Sequence, residues 1–204
     1  MKRHGKMFVN GLSGLLILGL SQAILAESNP EAGQEKAAMC GGCHGEDGNA
    51  TAPIFPKLAA QHATYLKKQL HEFKSGKRVQ ATMNAMAEGL SDEDIDDISA
   101  FYAGKTLNHE VLPGNTAGEK LYKAGNAKVG LPACSGCHGP KGSGNAPALF
   151  PRIGGQYAAY LESTLHEFKA GQRANDMNAM MRSVAQKLSD EDITAVSEYI
   201  ESLN

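Results

Sequence analysis

Tyr65, Leu66, Leu70 and Phe73 fall on one face of a helix, and Tyr160, Leu161, Leu165 and Phe168 repeat that stripe 95 residues later. Each stripe stops at a glycine, Gly76 or Gly171, the residue that most readily closes a helix. A second apolar set, Ile95, Ile98 and Phe101, returns as Ile193, Val196 and Tyr199. Both versions open on a serine, Ser91 or Ser189, followed by acidic residues that suit the positive end of a helix dipole. Each half is also expected to start with a helix, from Pro30 in the first and from a cap at Asn115 or Thr116 in the second, running on into the cysteines at Cys40 and Cys134. Nothing alternates with the period of a strand. The pattern therefore predicts an all-α fold with three main helices in each half.

The repetition extends to whole phrases. Phe55-Pro56-Lys57-Leu58-Ala59-Ala60-Gln61 answers to Phe150-Pro151-Arg152-Ile153-Gly154-Gly155-Gln156, and Leu90-Ser91-Asp92-Glu93-Asp94 to Leu188-Ser189-Asp190-Glu191-Asp192. Such self-similarity indicates a duplicated unit. Residues 27–105 form one copy and 117–204 the other. Between them 106–116 carries Asn108, Pro113, Gly114 and Asn115 without periodicity, as a linker does.

The chain opens with a different composition. Lys2, Arg3 and Lys6 precede an apolar run from about Leu12 to Leu25, and Ala26 is a small residue suited to cleavage before Glu27. Residues 1–26 thus read as an export signal, with an uncleaved anchor as the alternative, and place the protein in the periplasm. The remaining 178 residues carry 17 basic and 22 acidic side chains, with no basic block of the kind that binds nucleic acid. A peripheral association with the membrane is left open.

All four cysteines lie in two copies of one motif, Cys40-Gly41-Gly42-Cys43-His44 and Cys134-Ser135-Gly136-Cys137-His138. C-x-x-C-H is the attachment signature of c-type haem. Two thiols add across the two vinyl groups on one porphyrin edge, and the following imidazole supplies an axial nitrogen to the iron. Other uses of paired cysteines fit less well. Zinc would not require a histidine after each pair. A thioredoxin-like site needs a βαβ setting, and a disulfide of such short span closes little loop entropy. Halves this small bury little core alone, a deficit that two covalently held haems would remedy.

Helix, C-x-x-C-H, proline, methionine, then a C-terminal helix is an order similar to that of class I cytochrome c domains. Two such domains in tandem behind a signal peptide resemble the bacterial dihaem cytochrome c4 family, over essentially all of residues 30–203. The resemblance implies thioethers at Cys40, Cys43, Cys134 and Cys137, and proximal iron ligands at His44 and His138. It also implies that the carbonyls of Pro56 and Pro151 hold the histidine Nδ1–H groups. For the sixth ligand the first half offers Met83 and Met86, and the second Met177, Met180 and Met181. Matching Met-Asn-Ala-Met pairs Met83 with Met177. Counting back from the third helix pairs Met83 with Met181 and Ala87 with Ala185. A helix fixes geometry better than a loop, and the family's ligand position agrees with the second count, so Met83 and Met181 are the expected ligands. His71 and His166 form a rival pair at the flank of the second helix, expected to be exposed or bonded to polar groups.

The function so implied is electron carriage between membrane respiratory complexes, from a bc-type quinol-oxidising donor to a terminal oxidase or other reductase, with no enzymatic activity. A haem subunit of a sulfur-compound dehydrogenase and a dihaem peroxidase are the alternatives.

Overall fold

The computed structural model describes residues 1–2, 28–108, 110 and 112–204. The signal read over residues 1–26 lies, beyond Met1 and Lys2, outside them. The first half contains α1 (Pro30–Lys36), α2 (Ala38–His44), α3 (Ala63–Lys74), α4 (Ala81–Glu88) and α5 (Asp92–Ala103). The second contains α6 (Thr116–Ala124), α7 (Ser135–His138), α8 (Ala158–Lys169), α9 (Met180–Ala185) and α10 (Asp190–Glu201). No strand occurs among the described residues, only isolated bridges at Asn126–Leu131 and Asn145–Phe150. No described helix is long and apolar enough to cross a membrane.

The sequence signals for helix ends act as anticipated. Pro30 stands in the first turn of α1 and Asn115 caps α6; Asn29, which the sequence reading did not assign, caps α1. Ser91 and Ser189 each form a reciprocal capping box, with Asp94 and Asp192. An additional short helix, α4 or α9, stands between the second and third predicted helices of each half.

The first and last helices of each half cross in contact. A Cβ on Gly33 would fall on the Asp97 carbonyl and on Phe101, and one on Gly118 would fall on the Ala195 carbonyl and on Tyr199. Those matched crossings correct one reading. The offset between halves is 85 at the two glycines and 94 at the cysteines, so nine residues are inserted ahead of the second motif. The first helix does not run into the haem motif there. It ends at Gly125, and a short turn closed by the Asn126–Leu131 bridge leads on to α7. Even in the first half the chain breaks step at Ala37 before α2 begins.

Behind each crossing lies a core of five corresponding residues: Ala37, Leu66, Ile98, Phe101 and Tyr102 in one half, Tyr122, Leu161, Val196, Tyr199 and Ile200 in the other. At two of the five places size is exchanged. Ala37 and Tyr102 stand where the second half has Tyr122 and Ile200. The large ring therefore comes from α5 in one half and from α6 in the other, and each core is filled. The Tyr122 hydroxyl donates to the Gly139 carbonyl at 2.6 Å.

The first crossing also carries a buried ion pair, where the second, among the described residues, has only a bond from Asn115 to Glu198. Asp97 accepts from Lys36 Nζ at 2.8 Å and from the Asn29 amide at 2.6 Å. Its carboxyl is held low, by Lys36 above all and then by Asn29. Bonds from Ser91, then from Lys36, bring Asp94 down to about 2. Both groups are depressed, so the stability they confer is complete above the ordinary carboxylate range near pH 4 and is lost as pH falls toward 2. Ala195 replaces Asp97 in the second half. Acidification from pH 5 to 2 is therefore expected to weaken the first half more steeply, as read from backbone amide NMR signals of each half. Asp97→Asn should lower stability at neutral pH and flatten that slope; an unchanged slope would refute the assignment.

Candidate haem sites

Helix α2 carries Cys40, Cys43 and His44; Cys134 sits at the start of α7, which carries Cys137 and His138. All four thiols are free, which removes the disulfide reading. Among the described residues no three His, Cys, Asp or Glu side chains converge as a metal site, which removes the zinc reading. Burial pushes the Cys40 thiol up, and that of Cys134 up to about 11.

Both motif histidines are buried. His44 Nδ1 lies 2.9 Å from the Pro56 carbonyl oxygen and His138 Nδ1 3.0 Å from that of Pro151. A carbonyl can only accept, so Nδ1 carries the proton in each ring and Nε2 is left with its lone pair. Burial holds both imidazoles below the ordinary histidine range, against the opposing effect of the proline bond, and so keeps them neutral. Phe55 meets the first ring edgewise at 6.2 Å between centroids, and Phe150 the second at a tilt at 6.3 Å.

The prolines are held by a turn that both halves share. The Gly48 carbonyl accepts from the Leu58 and Ala59 amides at 2.7 and 3.1 Å, and the Gly142 carbonyl from Ile153 and Gly154 at 2.7 and 3.0 Å. Both glycines have positive φ, and a Cβ there would strike backbone of the returning strand of loop. The loop is thereby folded back against the motif, with the proline carbonyl facing the imidazole.

The methionine segments reach a common end by different routes. Met83, Asn84, Ala85 and Met86 all lie inside α4. The matching phrase in the second half does not: Met177–Ala179 is a 3-10 turn in which Asn178 and Ala179 have φ of 52° and 55°, and α9 begins only at Met180. The repeated phrase therefore occupies unlike backbone in the two halves. Counted from the last helix the segments do correspond in structure: Ala87 and Ala185 are both wholly buried, and Met83 and Met181 each lie four residues before them on the same helical face. Entry to the helices differs too. Gln80 accepts from the Met83 amide at 2.6 Å, whereas Asp176 accepts from the Arg182 amide at 3.0 Å.

His71 and His166 are exposed and face Asp92 and Asp190 at 3.8 and 4.0 Å, in keeping with the sequence reading.

The two halves meet through an approximately twofold set of bonds that the sequence reading did not assign. Gln61 Oε1 accepts from the Arg152 amide at 2.9 Å, and its Nε2 donates to the Arg152 carbonyl at 2.8 Å. Gln156 does the same to Lys57, at 3.0 and 2.9 Å. Arg173 donates to the Tyr65 hydroxyl at 2.9 Å and Arg78 to that of Tyr160 at 3.3 Å, each guanidinium lying over the phenylalanine of its own half, Phe168 or Phe73. Gln69 accepts from both arginines, which breaks the symmetry. Tyr65 and Tyr160, read as members of the core stripe, thus serve the junction instead. The linker is fastened as well: Asn49 donates to the Thr106 carbonyl and accepts from the Asn108 amide. The signal for the glutamines was in plain view, since Gln61 and Gln156 end the longest repeated phrase, but a lone glutamine has no chemistry that names its partner.

Two free thiols beside a neutral buried imidazole with Nε2 available form a donor set that fits a c-type haem, once in each half. The comparisons agree. The cytochrome c family model matches residues 30–103 and again 116–204. Cytochrome c4 of Pseudomonas aeruginosa is 46% identical over 95% of this chain and 98% of its own. The crystal structure of reduced recombinant cytochrome c4 from Pseudomonas stutzeri superposes with a TM-score of 0.84 at 44% identity, covering 87% of this chain and 100% of that one. A thiosulfate dehydrogenase electron acceptor of Stutzerimonas stutzeri is 36% identical over 93% of this chain and 91% of its own.

Proposed function

Because the chain belongs to the dihaem cytochrome c4 family, we propose that this electron carrier works in the periplasm, taking electrons from a quinol-oxidising bc-type complex and passing them to a terminal oxidase or another reductase. It is a carrier and not an enzyme, and it binds two haem c groups covalently. The observation that carries the reading is the duplicated pairing of a buried imidazole with a proline carbonyl beside a free C-x-x-C pair. When bound, haem c supplies one-electron cycling between ferric and ferrous iron. The chain's own residues do the rest. The proline carbonyls orient His44 and His138 and raise their basicity, Cys40, Cys43, Cys134 and Cys137 would hold the two haems by thioethers, and Met83 and Met181 would supply a thioether sulfur to each iron. A thioether favours ferrous iron and so sets a high potential.

With a histidine and a methionine available to each iron, the native holoprotein should turn over hydrogen peroxide far below an enzyme-like rate of about 10 per second. A rate of that order in a stopped-flow assay would revive the peroxidase alternative. The resemblance to a thiosulfate dehydrogenase electron acceptor favours a second reading, in which the donor is a sulfur-compound dehydrogenase. Rates of reduction by a bc-type complex and by such a dehydrogenase, measured side by side, decide between the donors.

The two halves should also differ in potential. Residues 27–108 carry 8 basic and 12 acidic groups, and 109–204 carry 9 and 10. More negative charge stabilises the ferric state, so the first half is expected to hold the lower potential, within the limit that exposed charges are screened beyond roughly 10 Å. Redox titration should resolve two one-electron steps; a single wave unchanged across salt concentration would contradict this.

A further inference from the structure

The peptide unit that holds each motif histidine is itself held from the other half. Pro56 contributes its carbonyl to His44 Nδ1, and the N–H of that same peptide, on Lys57, donates to Gln156 Oε1 at 3.0 Å. The mirror arrangement joins His138 to the Pro151 carbonyl and the Arg152 N–H to Gln61 Oε1 at 2.9 Å. Both glutamines are buried. Each also grips the far residue through its Nε2, which donates to the Lys57 or Arg152 carbonyl of the next peptide unit. Each is also anchored at home, because Gln156 Oε1 accepts from the Tyr157 amide at 3.1 Å and Gln61 Oε1 from the His62 amide at 3.0 Å, at the starts of α8 and α3.

We propose that Gln156 and Gln61 are reciprocal positioning residues, each tuning the proximal histidine of the opposite half through the peptide that separates them. The physical route is short. Donation by an amide N–H shifts electron density onto the carbonyl oxygen of the same peptide, and hydrogen bonds in such a chain strengthen one another by about 10–30%. A richer Pro56 oxygen draws the His44 Nδ1 proton more strongly, and the imidazole becomes a stronger electron donor at Nε2. A stronger donor stabilises ferric iron, so an intact glutamine lowers the potential of the haem in the other half. The junction is then part of both ligand sets, and neither half has its full character alone. The inference rests on His44 and His138 being the proximal ligands.

The test uses the full-length holoprotein with Gln156→Met, Gln61→Met and Tyr157→Phe. Methionine retains most of the side-chain volume while removing both acceptor and donor. Tyr157→Phe removes a different bond between the halves, from the Tyr157 hydroxyl to the Ala50 carbonyl, and leaves both glutamines in place. In Gln156→Met the His44 Nδ1–H resonance of the reduced protein should move upfield and the midpoint of the haem on Cys40 and Cys43 should rise, with the other midpoint unmoved. Gln61→Met should do the same for His138 and the haem on Cys134 and Cys137, and it stands in if the first variant fails to take up haem. Tyr157→Phe should leave both midpoints in place. Midpoints that move together, that move in the wrong half or that stay fixed in both methionine variants would overturn the coupling. A failure of the underlying reading looks different, since the unaltered protein would then lack two low-spin histidine-ligated haem signatures.

Discussion

Met83→Ala and Met181→Ala are each expected to abolish about half of the weak sulfur-to-iron band at the red end of the oxidised spectrum. Each should also open one iron to carbon monoxide and lower one midpoint potential, because a soft ligand that favours the ferrous state has gone. Met86→Ala and Met180→Ala should leave the spectrum intact. The register behind this choice rests on the buried pair Ala87 and Ala185, not on the repeated phrase, whose second copy runs through two left-handed residues. Loss of the band in Met86→Ala or Met180→Ala instead would show that the loop and not the helix sets the ligand. The double variant Met83→Ala/Met181→Ala should lose the band entirely and acquire measurable peroxide turnover.

The largest effect on stability is expected from Gly118→Ala. The added methyl group falls on the backbone of Ala195 and on Tyr199 Cβ, and backbone cannot rotate aside as a flexible side chain would. Overpacking of this kind costs about 1–3 kcal/mol and occasionally more, and here it forces α6 away from α10, exposing Tyr122 and Tyr199, which are now buried. The denaturation midpoint of the second half should fall sharply, and haem content by pyridine haemochrome should drop from two toward one. Gly89→Ala is the comparison: φ at that residue is −85° and its new methyl group would meet nothing within 4 Å. Equal midpoints for the two variants would mean that the crossing is looser than it stands here.

Much of this architecture could be read from local chemistry. Pro30 at the start of α1 and the caps at Ser91, Asn115 and Ser189 are signals carried within a single turn, as are the glycines that end α3 and α8, and all of them hold. The pairing of imidazole and proline was what the family resemblance implied, and both bonds are present. What escaped is of another kind. The nine-residue insertion ahead of Cys134 was hidden because alignment was anchored at the cysteines, while the true constraint on the first helix lies at Gly33 and Gly118, where it touches a helix far away in sequence. Tyr65 and Tyr160 share the helical period of core residues, and periodicity cannot separate a face turned to the core from one turned to the other half. Gln61 and Gln156 bond to backbone, which any residue type presents, so no complementary side chain advertised them.

The exchange of ring positions between the cores has a consequence for the history of a duplicated gene. Copies in tandem are prone to recombine and overwrite one another. Were residues 115–122 to replace 30–37 in the first half, Tyr122 would arrive where Tyr102 already fills the space; were 30–37 to replace 115–122, Ala37 would face Ile200 across a void. The first recombinant is overfilled and the second hollow, each at a cost of the order of 1–5 kcal/mol. Two small reciprocal changes in the interior thus act as a barrier to homogenisation, and leave the halves free to become different on the surfaces that their redox partners meet.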